Sequence, residues 1–203
     1  MVKIAIVDYG IGNLRSIKTS LEAVGSESII TSERDGIVNA DAIVLPGVGA
    51  FEGALKNLET ISDIILDQVE ESKPLLGICL GLQLLFTAST EGGSHMGLDI
   101  FKGKVVKLPF GVKIPHVGWN TLKILKPDNP LVREVPNESY VYFVHSYYGA
   151  AKCEEDVISK THYGLDFPSA LSSNNVLATQ FHPEKSGEIG LQILKNFVEF
   201  VKS

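Results

Sequence analysis

Four short, mainly apolar runs, each separated by a stretch of helical periodicity or a turn, restrict what this chain can fold into. Lys3 to Val7, Ser28 to Ile30, Ala42 to Leu45 and Leu75 to Ile78 have the length and composition of buried strands. Between the first two, Leu14, Ile17, Leu21 and Val24 recur at spacings of three and four, so they form one apolar stripe on a helix that Gly25 can end. After the third run, Phe51, Ala54, Leu55 and Leu58 repeat the stripe, and Pro74 stands just before the fourth, where a helix could not continue. Strands alternating with helices predict βαβ units and a parallel sheet.

From about Lys104 the texture changes. Lys104 to Leu108, Thr121 to Leu125, Tyr140 to His145, Val157 to Thr161 and Val176 to Phe181 are rich in β-branched and aromatic residues, which predicts a strand-rich C-terminal half. The chain then returns to helix, with Leu194, Phe197, Val198 and Val201 on one face behind Ser186 as the expected cap. The expected architecture is α/β, an open mixed and mainly parallel sheet with helices on both faces. A length of 203 residues without repeat or linker suits one domain over 1–203.

A net charge of −6 supplies no positive field to collect phosphate backbones, which argues against nucleic acid as a partner. Two cysteines are too few for a disulfide scaffold, and no apolar run approaches the roughly 20 residues of a membrane span, so a cytoplasmic setting is expected.

The sharpest chemical signal is Gly77-Ile78-Cys79-Leu80-Gly81, at the end of a predicted strand and directly before a helical stretch over Leu82 to Phe86. Small neighbours let the chain turn sharply and present a nucleophile above the sheet, and the following helix favours a thiolate there. Gln180-Phe181-His182-Pro183-Glu184 offers the partner base. In an extended segment residues two apart share a side, so Glu184 can orient the His182 imidazole toward the sulfur. In Pro46-Gly47-Val48-Gly49 the glycines free the Val48 amide to face a developing oxyanion, with the Leu80 amide as second donor.

Other features are weaker. Asp8-Tyr9-Gly10-Ile11-Gly12-Asn13-Leu14-Arg15 begins like a dinucleotide fingerprint, but Arg15 stands where the last glycine belongs. His95, His116, His145 and His162 show no metal-ligand spacing, and no metal or cofactor is expected. Cys153 precedes the acidic run Glu154-Glu155-Asp156, which opposes thiolate formation.

With these residues in hand, the chain resembles the class I glutamine amidotransferases over nearly its whole length. Gly77 to Gln83 and Phe181 to Glu184 match the family's two most specific motifs, and Pro46 to Gly49 matches its oxyanion strand. Asp8 to Asn13, His116 to Asn120, Phe143 to Tyr147 and Pro183 to Ser186 resemble one branch, the glutaminase subunits of histidine biosynthesis. The resemblance implies a Cys79, His182 and Glu184 triad that hydrolyses glutamine. It implies that Gly49, Gln83, Glu91, Ser146 and Tyr147 hold the substrate. It also implies a cyclase subunit with a (β/α)-barrel fold that receives the ammonia, met by Asn13, His116, Trp119 and Asn120. Two other readings stay open: a stand-alone cysteine hydrolase of γ-glutamyl substrates, and a non-catalytic binding module with a vestigial pocket.

Overall fold

In the computed structural model, which describes residues 1–203, the four apolar runs are β1 (Lys3–Val7), β2 (Glu27–Thr31), β3 (Ala42–Leu45) and β4 (Leu75–Ile78). They are joined by α1 (Leu14–Ala23), α2 (Arg34–Val38), α3 (Phe51–Leu58) and α4 (Ser62–Glu70), and β4 runs into the short α5 (Leu80–Leu84). The second half supplies β5 (Phe86–Ser89), β6 (His95–Met96), β7 (Phe101–Lys107), β8 (His116–Thr121) and β9 (Lys123–Ile124). It continues through β10 (Tyr140–His145), β11 (Tyr147–Ala151), β12 (Val157–His162), β13 (Asp166–Ser173) and β14 (Val176–Thr179), and closes with α6 (Gly187–Lys202).

The main sheet has eight strands in the order β2-β1-β3-β4-β14-β13-β12-β9. Pairing is parallel from β2 to β14 and antiparallel from β14 to β9, which makes the sheet mixed as the sequence predicts. Alternation along the strands divides the core between the two faces. Ile4, Ile6 and Val44 pack with Ile17 and Leu21 of α1 and with Ile193, Leu194 and Phe197 of α6. Val7, Ile43 and Leu45 pack on the opposite face with Phe51, Ala54 and Leu58 of α3 and with Ile65 of α4. Two smaller sheets, β10-β8 and β11-β7-β5-β6, account for much of the strand-rich half.

Three local expectations are corrected. The helix expected over Leu82 to Phe86 is Leu80–Leu84, and Phe86 opens β5 instead. Its last carbonyls are taken by the following segment, Leu84 O from Leu98 N at 2.8 Å and Leu85 O from Phe101 N at 2.9 Å, so the helix stops and the chain pairs with β7. The strand expected over Thr121 to Leu125 is split, because buried Leu122 bonds to Glu138 and Ser139 while the chain passes from the small sheet to the large one. Finally, Ser186 stands at the N-terminus of α6 without capping it through its side chain. Its hydroxyl donates to His182 O at 2.6 Å and accepts from Tyr142 N at 3.0 Å, which ties the segment after β14 to β10.

Candidate active site

The segments that carry the expected chemistry leave the carboxyl ends of three adjacent parallel strands, the edge where open α/β sheets bind ligands. Pro46 to Gly49 follow β3, Cys79 follows β4 and Gln180 to Glu184 follow β14. The register between β4 and β14 places Ile78 opposite Thr179, and Cys79 N donates to Thr179 O at 2.7 Å. Two segments a hundred residues apart in sequence therefore meet at the sulfur.

Cys79 has φ +55° and ψ −105°, a conformation a non-glycine residue adopts only where its surroundings hold it. They hold it from both sides. A Cβ at Gly81 would stand 1.8 Å from the backbone Leu45 O, which demands glycine there, and one at Gly77 would crowd Leu85 Cδ1 at 2.8 Å and Leu82 N at 3.0 Å. Cys79 is 5% exposed, with its Sγ 3.7 Å from both Val144 O and the Gln180 side-chain amide.

His182 and Glu184 meet as expected, Nδ1 to Oε1 at 2.9 Å, with both side chains almost wholly enclosed. The means differ from the expectation: Pro183–Lys185 is a 3-10 turn, and this turn, rather than an extended strand, brings the carboxylate round to the ring. His182 Nε2 has no hydrogen-bond partner and is left free on the side of the sulfur. Burial alone pulls the ring toward neutrality. The Cys79 sulfur and the Glu184 carboxylate outweigh it and raise the His182 pKa from 6.5 to about 9.

In front of Cys79 opens a cleft of about 180 Å³. Val48, Gly49 and Leu80 line one part of it, and Gln83, Glu91, Ser146 and Tyr147 another, so the residues expected at the oxyanion and at the substrate share one cavity with the cysteine. The substrate side is more committed than the sequence implies. Glu91 Oε2 accepts from Phe51 N at 3.0 Å at the start of α3, and Gln83 Nε2 donates to Tyr147 O at 2.8 Å and to Gln180 Oε1 at 3.1 Å. This leaves Glu91 Oε1 and Gln83 Oε1 as acceptors for a ligand.

The segment expected to supply an oxyanion donor is held in one particular state. Leu80 N donates to Gly47 O at 3.4 Å. In a trans peptide the C=O and the following N–H point in opposite directions, so the Val48 amide is turned away from the Leu80 side. The Tyr9 hydroxyl donates to Pro46 O, and a Cβ at Gly47 would lie 2.4 Å from the Tyr9 oxygen and 2.8 Å from Leu80 Cβ. Burial and the neighbouring Cys79 raise the Tyr9 pKa, which keeps the phenol protonated as that donor. The sequence singles out Tyr9 only as part of a motif; its contact with the Pro46–Gly49 segment needs the fold.

The structure divides the residues expected at a partner interface. Along β8 the side chains alternate, so Val117 and Trp119 project outward while His116 and Asn120 face the interior. Trp119 is 55% exposed, stacked edge-on against Tyr142 at 5.8 Å, and Asn13 is exposed at the start of α1. His116 is 3% exposed, so its place is inside the molecule and not at the surface.

There it meets His145, its neighbour across β8 and β10, in a hydrogen-bond chain that sequence reading missed. His145 Nδ1 lies 2.9 Å from Tyr147 O, and a carbonyl only accepts, so this nitrogen carries the proton. His145 Nε2 then accepts from His116 Nδ1 at 3.0 Å, and His116 Nε2 accepts from Asn120 Nδ2 at 3.4 Å. Burial holds both rings neutral, lowering His116 to about 4 and His145 to about 3.

Cys79, the His182–Glu184 pair and the amide segment after β3 thus converge on one cleft at the carboxyl edge of a doubly wound sheet. The family model described as glutamine amidotransferase class-I matches residues 5–200, and the chain belongs to that family. Within it, the chain is 52% identical over 201 residues to the imidazole glycerol phosphate synthase subunit HisH of Caldanaerobacter subterraneus subsp. tengcongensis, covering 98% of each. It is 52% identical over 200 residues to the protein of the same name from Archaeoglobus fulgidus, covering 98% of this chain and 99% of that one, and 49% identical over 199 residues to that of Aquifex aeolicus, covering 97% and 96%. Among solved structures, PurLQS from Thermotoga maritima shares the fold with a TM-score of 0.78 at 19% identity, covering 98% of this chain and 99% of that one.

Proposed function

We propose that the chain is the glutaminase subunit of imidazole glycerol phosphate synthase, and that Cys79, His182 and Glu184 carry its chemistry. The observation that carries this reading is the enclosed His182–Glu184 pair, whose free Nε2 stands beside a cysteine held in a strained turn. The Cys79 thiolate attacks the side-chain amide carbon of glutamine, His182 protonates the departing ammonia, and water hydrolyses the γ-glutamyl thioester with His182 as base. Glu184 keeps the ring in the required tautomer and balances its positive charge. The substrate's α-ammonium suits the free acceptors of Glu91 and Gln83, with Gly49 and the backbone of Ser146 and Tyr147 completing the cleft.

The oxyanion between Val48 NH and Leu80 NH requires that the Gly47–Val48 peptide turn over and that Leu80 NH leave Gly47 O. This need favours a subunit whose activity depends on a partner over a stand-alone hydrolase. The partner is a cyclase subunit with a (β/α)-barrel fold, of the HisF type, forming a heterodimer in the cytoplasm and taking the ammonia without release to water. The exposed Val117, Trp119 and Tyr140 on the outer face of the β8–β10 sheet, with Asn13, suit its docking. Glutamine hydrolysis is to be assayed with and without the cyclase, alongside Cys79→Ala. Turnover by the parent complex and none by Cys79→Ala is expected, and equal turnover by both would overturn the reading.

A further inference from the structure

We infer that the Gln180 side-chain amide donates a hydrogen bond to Cys79 Sγ and stabilises its thiolate, and that the Tyr147 carbonyl sets the direction of that amide through Gln83. The inference rests on Cys79 being the attacking thiol. Gln180 is the first residue beyond β14 and is wholly buried. Its backbone N donates to Ser169 O at 2.9 Å, and the β4–β14 register sets it beside Cys79.

The orientation of the amide follows from hydrogen-bond logic. Tyr147 O can only accept, so the Gln83 atom 2.8 Å from it is the nitrogen. The second hydrogen of that nitrogen points to Gln180, which must answer with its oxygen, at 3.1 Å. Gln180 Nε2 is thereby turned to the sulfur, at 3.7 Å. Reversing the amide would set donor against donor in a space closed to water, at the full cost of an unmade buried hydrogen bond. The sulfur needs such a donor. Besides His182, the sulfur has a further close polar neighbour in Val144 O at 3.7 Å, which accepts from a thiol but repels a thiolate. Once His182 has taken the proton, the Gln180 amide offsets that repulsion.

The test uses the full chain in complex with the cyclase, and the pH midpoint of Cys79 alkylation by iodoacetamide decides it, with Cys153 as internal reference. In Gln180→Met, which keeps the length and loses the donor, the midpoint is expected to rise by about one unit and kcat to fall about tenfold, as for one hydrogen bond to a charged group. The KM for glutamine is expected to change much less. Gln180→Glu in its ionised form still accepts from Gln83 yet cannot donate, so it should lose activity in the same way. The ionisable groups facing the sulfur, His182 with Glu184 behind it and Tyr9, are untouched in both variants. An unchanged alkylation midpoint in Gln180→Met, with only thermal stability reduced, would show that Gln180 merely ties β14 to α5 and overturn the inference. If Gln180→Met does not fold, Gln83→Met frees the amide from its anchor and must raise the midpoint for the inference to stand. Alkylation needs no glutamine turnover, so failure of the unsubstituted complex to hydrolyse glutamine would count against the proposed function alone.

Discussion

Leu80 N donates to Gly47 O at 3.4 Å, so the peptide proposed to supply one oxyanion donor presents its carbonyl to the other proposed donor. Only the reversed peptide, with Val48 NH inward, stabilises a tetrahedral intermediate, and a donor of this kind contributes about 2.7 to 4 kcal/mol. The isolated subunit is therefore expected to hydrolyse glutamine slowly and the ligand-bound complex faster, with the gain in kcat more than in KM. Val48→Pro, which removes the amide hydrogen, should cripple the stimulated rate while weakening glutamine binding much less. Steady-state kinetics of subunit and complex check both, and equal rates for the two would leave no gating to explain.

The three residues of the proposed triad should differ in their importance. Cys79→Ala and His182→Asn are expected to lower kcat by roughly a thousandfold or more, whereas Glu184→Gln should retain measurable activity because the carboxylate orients the ring and transfers no proton. Single-turnover assays give the order, and a Glu184→Gln far worse than His182→Asn would reverse the assigned roles. A glutamine-like electrophile should label Cys79 and spare Cys153, read by peptide mass spectrometry.

Gly81→Ala tests the turn. Its Cβ would meet Leu45 O at 1.8 Å, a backbone atom that cannot swing aside, so the cost should exceed the ~1 to 3 kcal/mol of ordinary overpacking and abolish activity. Gly53→Ala in α3 is the control: nothing lies within 4 Å of its added Cβ, and helix propensity predicts a gain of up to about 1 kcal/mol. Thermal unfolding of both variants decides, and equal effects would show that the turn is not what demands glycine at 81.

The buried histidines predict opposite pH windows. His182 is raised from 6.5 to about 9, so its protonated form stabilises the fold fully below 6.5, and that contribution is lost as the pH rises through about 9. Glu184→Gln should flatten this alkaline loss in urea titrations. His116 and His145 are lowered to about 4 and about 3, so their neutral forms contribute fully above 6.5 and their contribution fades as the pH falls through those values. Long-range ¹H–¹⁵N spectra should find both rings protonated at Nδ1 near neutral pH. A proton on Nε2 of His145 would contradict the hydrogen-bond chain.

What the sequence determined by itself is local in origin. Apolar runs too short for buried helices and bounded by turn residues set β1, β3 and β4 to within a residue, and three-four spacing set α1, α3 and α6, because these patterns report which atoms must leave water. Cys79 between glycines and His182 two residues from Glu184 were legible for the same reason, each motif lying within a few residues, whereas the 3-10 turn that brings Glu184 round to the ring was not. Tertiary structure alone decided the rest. The register of β14 against β4 brings Gln180 to the sulfur, the alternation of β8 against β10 turns His116 inward to His145 and leaves Trp119 outside, and the Leu80–Gly47 contact turns the Val48 amide away from Leu80. No local pattern encodes these relations. Each depends on hydrogen bonds between segments about thirty to a hundred residues apart, whose partners are chosen only when the sheets assemble.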